Sequence, residues 1–331
     1  MLERSWSVQS DIKSVRLKWQ EPQADLSWAY MKQLREKNKT KKIYYVNPYV
    51  EVYQFRENLY GLYTYNLDGL SDPWMYVIVG PERALLIDTG FGLGDTKGLV
   101  DEITGGLPLM VVNTHNGPDH AYGNCRFEQV YCHRYDVPKL KQQHSDMWDY
   151  LFDKDGNNIW VDFERCALPV FKEYEIISCE DGHIFDLGGG YEVELFWLGG
   201  HTPGSSGFLD RTNRILFPGD NLVSMRTSLG GVEVSLNDGP YGEYATVRNL
   251  KERMEILLEK YFQEFDYVFP QHLVVNVEKE VLRYELLALE EILAAPEQFD
   301  AVSVTESPQS GKMVESKLKY IRGFGPIGYR F

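Results

Sequence analysis

From Tyr49 onward the chain alternates between short apolar runs and polar breaks. "VEVYQF", "LYGLYTYNL" and "WMYVIVG" are rich in β-branched and aromatic residues and are separated by Gly, Asp and Pro, which predicts successive antiparallel strands. "RALLID", "PLMVVNT", "YEVELFWLGG", "RILFPGD" and "DYVFPQH" are nearly continuous apolar runs, the pattern of buried strands. Three longer segments carry helical spacing instead. "GDTKGLVDEITG" follows the first buried run, and "GEYATVRNLKERMEILLEKYF" sets Val247, Leu250, Met254, Ile256 and Leu257 near one face. "VEKEVLRYELLALEEILAAP" stops at Pro296. Strands and helices in alternation predict sheets sandwiched by helices.

Around this body, 46–295, the texture changes. Residues 1–45 are polar, with partial helix expected, and end in the basic run "KNKTKK", which reads as a solvated linker. Residues 296–331 begin polar and finish as "KYIRGFGPIGYRF", too apolar for a free tail, so this segment is expected to pack on the domain. An aromatic cluster, "MWDYLFDKDGNNIWVDF", marks an insertion at about 141–180 that reads as core packing or as a lid.

Each buried run ends at a residue able to bind or orient a metal: Asp88, His115, His201, Asp220 and His272. The stretch "VVNTHNGPDHAYGN" adds Asp119 and His120 to His115. A cation site needs lone pairs converging at ~2 Å from one point, and imidazole with carboxylate suits zinc, with iron or manganese as alternatives. Polar groups gathered at one end of buried strands are held rigidly, which is how sheet proteins build sites.

In these words the chain resembles the metallo-β-lactamase superfamily, whose pattern is an Asp after an early strand, then HxHxDH, then His, Asp and His. Here those are Asp88 in "LLIDTG", "HNGPDH" at 115–120, His201 in "GGHTPGSSG", Asp220 in "FPGD" and His272 in "PQH", across residues 48–275. The resemblance implies a four-layer αββα sandwich, α+β or α/β in class, with a metal cleft at one edge of the sheets. It implies one metal position with Asp119, His120, His272 and a bridging Asp220, and a second with His115, His201 and Asp220. The middle histidine of HxHxDH is Gly117 in this chain, so the second position loses an imidazole. Asn116 is the neighbour whose amide oxygen is the available substitute. One tightly held ion and one weak or absent ion are therefore expected, with Asp88 orienting the ligand loop from behind.

The remaining residues narrow the function. With 34 basic and 49 acidic residues the net charge is 34 − 49 = −15, which disfavours nucleic acid and anionic membrane as partners. The first residues lack an apolar core, so neither an export signal nor an anchor is expected. Cys125, Cys132, Cys166 and Cys179 form no CxxC pair and read as reduced thiols in a cytoplasmic protein. "GFGLGD" is not a dinucleotide loop, because its third glycine comes too early. Ser205 and Ser206 read as caps of the turn after His201, and His133, His144 and His183 as structural. The chemistry expected is hydrolysis of an activated acyl bond (lactone, thioester, ester or amide) of a small molecule, with Asp119 or Asp220 moving the proton. Tyr122, Arg226 and Tyr241 are candidates to touch that substrate; the oligomeric state is left open, the aromatic-rich tail and insertion being compatible with a homodimer. An iron-dependent redox enzyme of the same fold and a non-catalytic binding protein with a decayed site are the alternatives.

Overall fold

The buried runs assemble into two sheets that face each other in a computed structural model, which describes residues 35, 37–234, 236 and 239–331. Of the 1–45 extension, residues 1–34 and 36 thus lie outside the described part. The first sheet takes its strands in chain order: β1 (Lys41–Lys42), β2 (Glu51–Arg56), β3 (Leu59–Tyr63), β4 (Trp74–Val79), β5 (Ala84–Ile87), β6 (Leu109–Val112), β7 (Gln129–His133) and β8 (Glu175–Cys179). Pairing is antiparallel from β1 to β5 and parallel from β5 to β8. The switch at β5 follows from α1 (Thr96–Thr104), because parallel neighbours need a crossover. The Asp95 side chain accepts from Gly98 N at the start of α1, and Gly105 closes it in the left-handed conformation.

The second sheet contains β9 (Ile184–Asp186), β10 (Glu192–Trp197), β11 (Ser206–Asp210) and β12 (Ile215–Phe217). After β13 (Thr227–Gly231) leaves for a third sheet, β14 (Tyr267–Val268) and β15 (Val277–Glu278) complete the second, in the order β15-β14-β12-β11-β10-β9. Its outer face is covered by α2 (Val247–Lys260) and α3 (Val281–Ala294). Val247, Leu250, Met254 and Leu257 of α2 are buried as their spacing predicts, while Ile256 is only half-buried. Rings of Tyr53, Tyr76, Phe208, Phe217 and Phe269 fill the space between the sheets, and Leu99 and Val100 of α1 cover the outside of the first. Each such side chain contributes roughly 1.5–3 kcal/mol by leaving water. The layers are thus α, β, β, α. Among the described residues no helix is long and apolar enough to cross a membrane.

The insertion differs from its sequence reading in extent. It is shorter, because "EIISC" at its end is β8, an edge strand whose polar Glu175 and Ser178 hide the pattern. Its body packs Met147, Trp148, Leu151 and Phe163 against Tyr49, Tyr65, Leu67 and Phe91. The tail forms a meander of β16 (Ala301–Glu306), β17 (Met313–Tyr320) and β18 (Pro326–Arg330). β18 pairs in parallel with β13, so a third sheet runs β13-β18-β17-β16, and Ile327 and Tyr329 join the core under α2 and α3.

Candidate metal centre

Strands β5, β6, β10, β12 and β14 all end at one rim, and the loops beyond them carry the polar residues. Asp88, just past β5, sits in a left-handed backbone (φ 64°) that only a short polar or glycine residue takes easily. From there its carboxylate accepts from Thr114 N at 2.7 Å, Thr114 Oγ1 at 2.8 Å and His120 Nδ1 at 3.0 Å. The single helical turn Pro118–Ala121, with proline at its start, presents Asp119 and His120.

The hydrogen bonds assign the tautomer of each of the site's four histidines. His120 Nδ1 donates to Asp88 Oδ2, His201 Nδ1 to Ser228 O at 2.6 Å, and His272 Nδ1 lies 3.2 Å from Asp72 O. The Thr114 hydroxyl spends its proton on Asp88, so it accepts from His115 Nδ1 at 3.0 Å. With every Nδ1 donating to the protein, every Nε2 is left to meet a cation or a second proton. The Nε2 atoms turn inward. His120 Nε2 is 3.1 Å from His272 Nε2, and His272 Nε2 is 3.2 Å from Asp220 Oδ2 and 3.5 Å from Asp119 Oδ2. His120 Nε2 is 3.5 Å from Asp119 Oδ1 and from Asp220 Oδ1. No donor among the described residues reaches Asp220 Oδ1, although it is buried. Acceptors pressed together at hydrogen-bond distance repel unless a cation lies between them. The donor set therefore fits a divalent ion, and two triads have ligand atoms within 4.8 Å of one another: Asp119, His120, His272 and His115, His120, Asp220.

The carboxylates make the centre a place that attracts positive charge. Burial raises Asp119, but His120 and His272 outweigh it and pull its carboxyl down to about 2; Asp220 falls well below the usual range despite burial, for the same kind of reason. Burial disfavours the charged forms of His120 and His272, but Asp119 and Asp220 overcome it and hold both above 6.5, so a cation binds there in competition with protons. His115 is driven well below 6.5 by burial, then by His120 and His201, so it stays neutral and able to ligate.

Gly117 alters the other half of the centre. A Cβ at 117 would stand 2.6 Å from His115 Nε2, so the His115 ring occupies the volume a side chain there would need. That ring lies 4.2 Å from His120 and 4.7 Å from His201, centroid to centroid. His201 is the outlying member, its Nε2 4.0 Å from Asp220 Oδ2. Asn116, the neighbour of Gly117, is tied down through its backbone, whose N–H donates to Asp136 Oδ2 at 2.9 Å.

Several residues that hold the centre gave no signal in the sequence. Asn66 Nδ2 donates to Asp119 Oδ2 at 2.9 Å, Asp72 and Ser228 fix imidazoles as described, and Ser71 Oγ lies 3.2 Å from His272 Nδ1. Asp136 ties two ligand loops together, accepting from Asn116 N, from Thr202 Oγ1 at 2.8 Å and from Gly204 N at 2.8 Å. Ser205 Oγ accepts from Thr202 N in the turn after His201, and Ser206 Oγ donates to Gly204 O. His133 is buried and stacked on Trp197, and His144 and His183 lie away from the centre's hydrogen bonds. Of the substrate candidates, Tyr122 packs on Phe91 and Trp148, Arg226 bonds to Ser303 Oγ at 3.2 Å, and Tyr241 is exposed. All four cysteines are free thiols.

The chain matches known proteins in the same region. Residues 68–272 fit the model of the metallo-beta-lactamase superfamily. Acyl-coenzyme A thioesterase MBLAC2 of Gallus gallus is 28% identical over 159 residues, 44% of this chain and 56% of that protein. Its counterpart in Homo sapiens is 25% identical over 166 residues, 44% and 57% of the two. This chain thus spans a little over half the length of the curated relatives it matches. Among solved structures, a metallo-beta-lactamase from Pontibacter korlensis superposes with TM-score 0.51 at 17% identity, over 73% of this chain and 99% of that one. The DIM-1 metallo-beta-lactamase gives 0.50 at 21%, over 74% and 99%. At such identity the likeness is one of fold.

Proposed function

Since the chain belongs to the metallo-β-lactamase superfamily, we propose that it is a metal-dependent hydrolase of activated acyl bonds, thioesters first among them. The observation that carries this is the inward convergence of imidazole Nε2 atoms and carboxylate oxygens, with an Asp220 oxygen that no protein donor satisfies. Thioesters are preferred within the acyl class because both curated relatives are named acyl-coenzyme A thioesterases.

Asp119, His120, Asp220 and His272 would hold one zinc tightly, with His115 beside them and His201 at the margin. A bound divalent cation supplies an acidified water and polarises a carbonyl oxygen. The chain does the rest. Asn66 pins Asp119 Oδ2, leaving Oδ1 turned to the centre, and Asp220 Oδ1 is free; either oxygen takes the proton of the attacking water and returns it to the leaving group. Both carboxylates are ionised at neutral pH, as that role requires. Asp88, Asp72 and Ser228 keep the imidazoles from turning. Arg226, whose charge no carboxylate among the described residues pairs with, suits an anionic group on the substrate.

The test is hydrolysis of acyl thioesters, lactones, esters and amides by the full chain, with metal counted by mass spectrometry. Thioester turnover that chelation abolishes and zinc restores is the expected result. Turnover indifferent to chelation, or absent on every acyl substrate with metal bound, would sink the reading.

A further inference from the structure

An aromatic ledge stands beside the centre, and nothing in the chemistry above uses it. Tyr135, just past β7, stacks on Tyr244 (4.5 Å between centroids, planes 17° apart) and lies 4.6 Å from Tyr241. Trp197, at the end of β10, meets Tyr135 and Tyr244 edge-on. The ledge is tied to the ligand loops on both sides. Gly200, the residue before His201, donates its N–H to Tyr244 O at 2.8 Å, and Asp136 next to Tyr135 holds Asn116 and Thr202.

Two features set the ledge apart from ordinary packing. Tyr241 is 41% exposed, so a large aromatic residue is left partly in water. Its backbone is also left-handed (φ 65°), a conformation a bulky residue adopts only at a cost. Such outliers persist where surrounding contacts enforce them, and they gather at ligand sites. Here the carbonyl of Tyr241 accepts from Tyr244 N at 3.0 Å, which locks the turn. Beside Tyr135 lies the guanidinium of Arg134, its Cζ 4.7 Å from the ring centroid. Arg134 donates to Glu180 Oε1 at 3.0 Å and to the Tyr135 hydroxyl at 2.8 Å, exposed pairings that solvent and a competing anion can exchange.

We propose that the ledge of Tyr241, Tyr135 and Tyr244, with Arg134 at its edge, binds the purine of a nucleotide-tethered thioester. The inference rests on the thioester reading above and extends it to the non-reacting end of the substrate. A purine offers a flat face that stacks on tyrosine without regard to sequence of contacts. Coenzyme A joins such a ring to its thiol by a flexible arm, so ring and thioester can occupy two places separated by one loop. The phosphates next to the ring find the Arg134 guanidinium.

Steady-state kinetics of the full chain on two substrates separates the possibilities: butyryl-coenzyme A, and the butyryl thioester of N-acetylcysteamine, which lacks the nucleotide. Tyr241→Ala raises KM for the first about tenfold with kcat unchanged, and leaves both constants for the second unchanged. Tyr241→Phe behaves as the parent, because stacking needs the ring and not the hydroxyl. Melting temperatures matching the parent's certify the fold, and Tyr241→Gly, which relaxes the backbone, stands in for Tyr241→Ala should the latter melt early. Equal changes for both thioesters, or none for either, overturn the proposal. If neither thioester is turned over, the hydrolase reading is what fails, and the ledge is then tested alone by calorimetry with adenosine 3′,5′-bisphosphate. Binding that weakens about tenfold in Tyr241→Ala sustains it; absent or equal binding rejects it.

Discussion

Gly117 is the residue whose identity matters most for the centre. The His115 ring fills the space of a side chain at 117, so even a methyl group must displace it. Gly117→Ala is expected to weaken metal affinity by roughly 10–100-fold, read by chelator competition, because a shifted ligand is as costly as a lost supporting contact. Gly117→His forces the same displacement but brings a new imidazole, so metal content should rise toward two per chain. An unchanged metal count would show that the loop does not let His115 swing back. A second residue-scale expectation concerns Glu285 on α3. It is buried, no donor among the described residues reaches its carboxyl, and burial holds it well above its ordinary 4.5. An acid raised in the fold binds a proton that the unfolded chain releases, so stability falls as pH climbs from 4.5 toward the folded value. Glu285→Gln has nothing to titrate; the midpoint of urea unfolding followed between pH 4 and 8 should therefore be flatter than the parent's.

At the scale of elements, the third sheet and the centre are linked through one hydrogen bond. β18 pairs with β13, and the Ser228 carbonyl of β13 orients His201. Ile327, opposite Thr227 in that pairing, is fully buried under α2 and α3. Ile327→Ala should cost about 2–5 kcal/mol in denaturant unfolding. It should also loosen His201 without touching it, seen as a changed visible spectrum of the cobalt-loaded protein. This coupling was not legible in the sequence, and the reason is physical. Asp88, His115, His201, Asp220 and His272 stand out because each interrupts or closes an apolar run, where a polar residue needs a purpose. Asn66, Asp72 and Ser228 lie among other polar residues, and two of them act through a backbone carbonyl, which every residue has. β8 and β16 were hidden likewise: half-exposed edge strands carry no continuous apolar pattern. The helices were plain because burial on one face imposes their spacing, though Ile256 sits just off that face.

For the molecule as a whole, the two sheets place every ligand loop at one rim, and reversals of chain gather at the opposite one. The turn between β2 and β3, the loop from Gly80 to Arg83, and the turns after β9 and β11 all lie there. Chemistry and chain reversal are thereby kept a full strand length apart. Glu57, exposed at the tip of the first of these turns, is therefore a place where foreign sequence can be spliced in. A peptide epitope inserted after it should leave metal loading intact, giving a handle for immobilising the protein with its cleft facing outward.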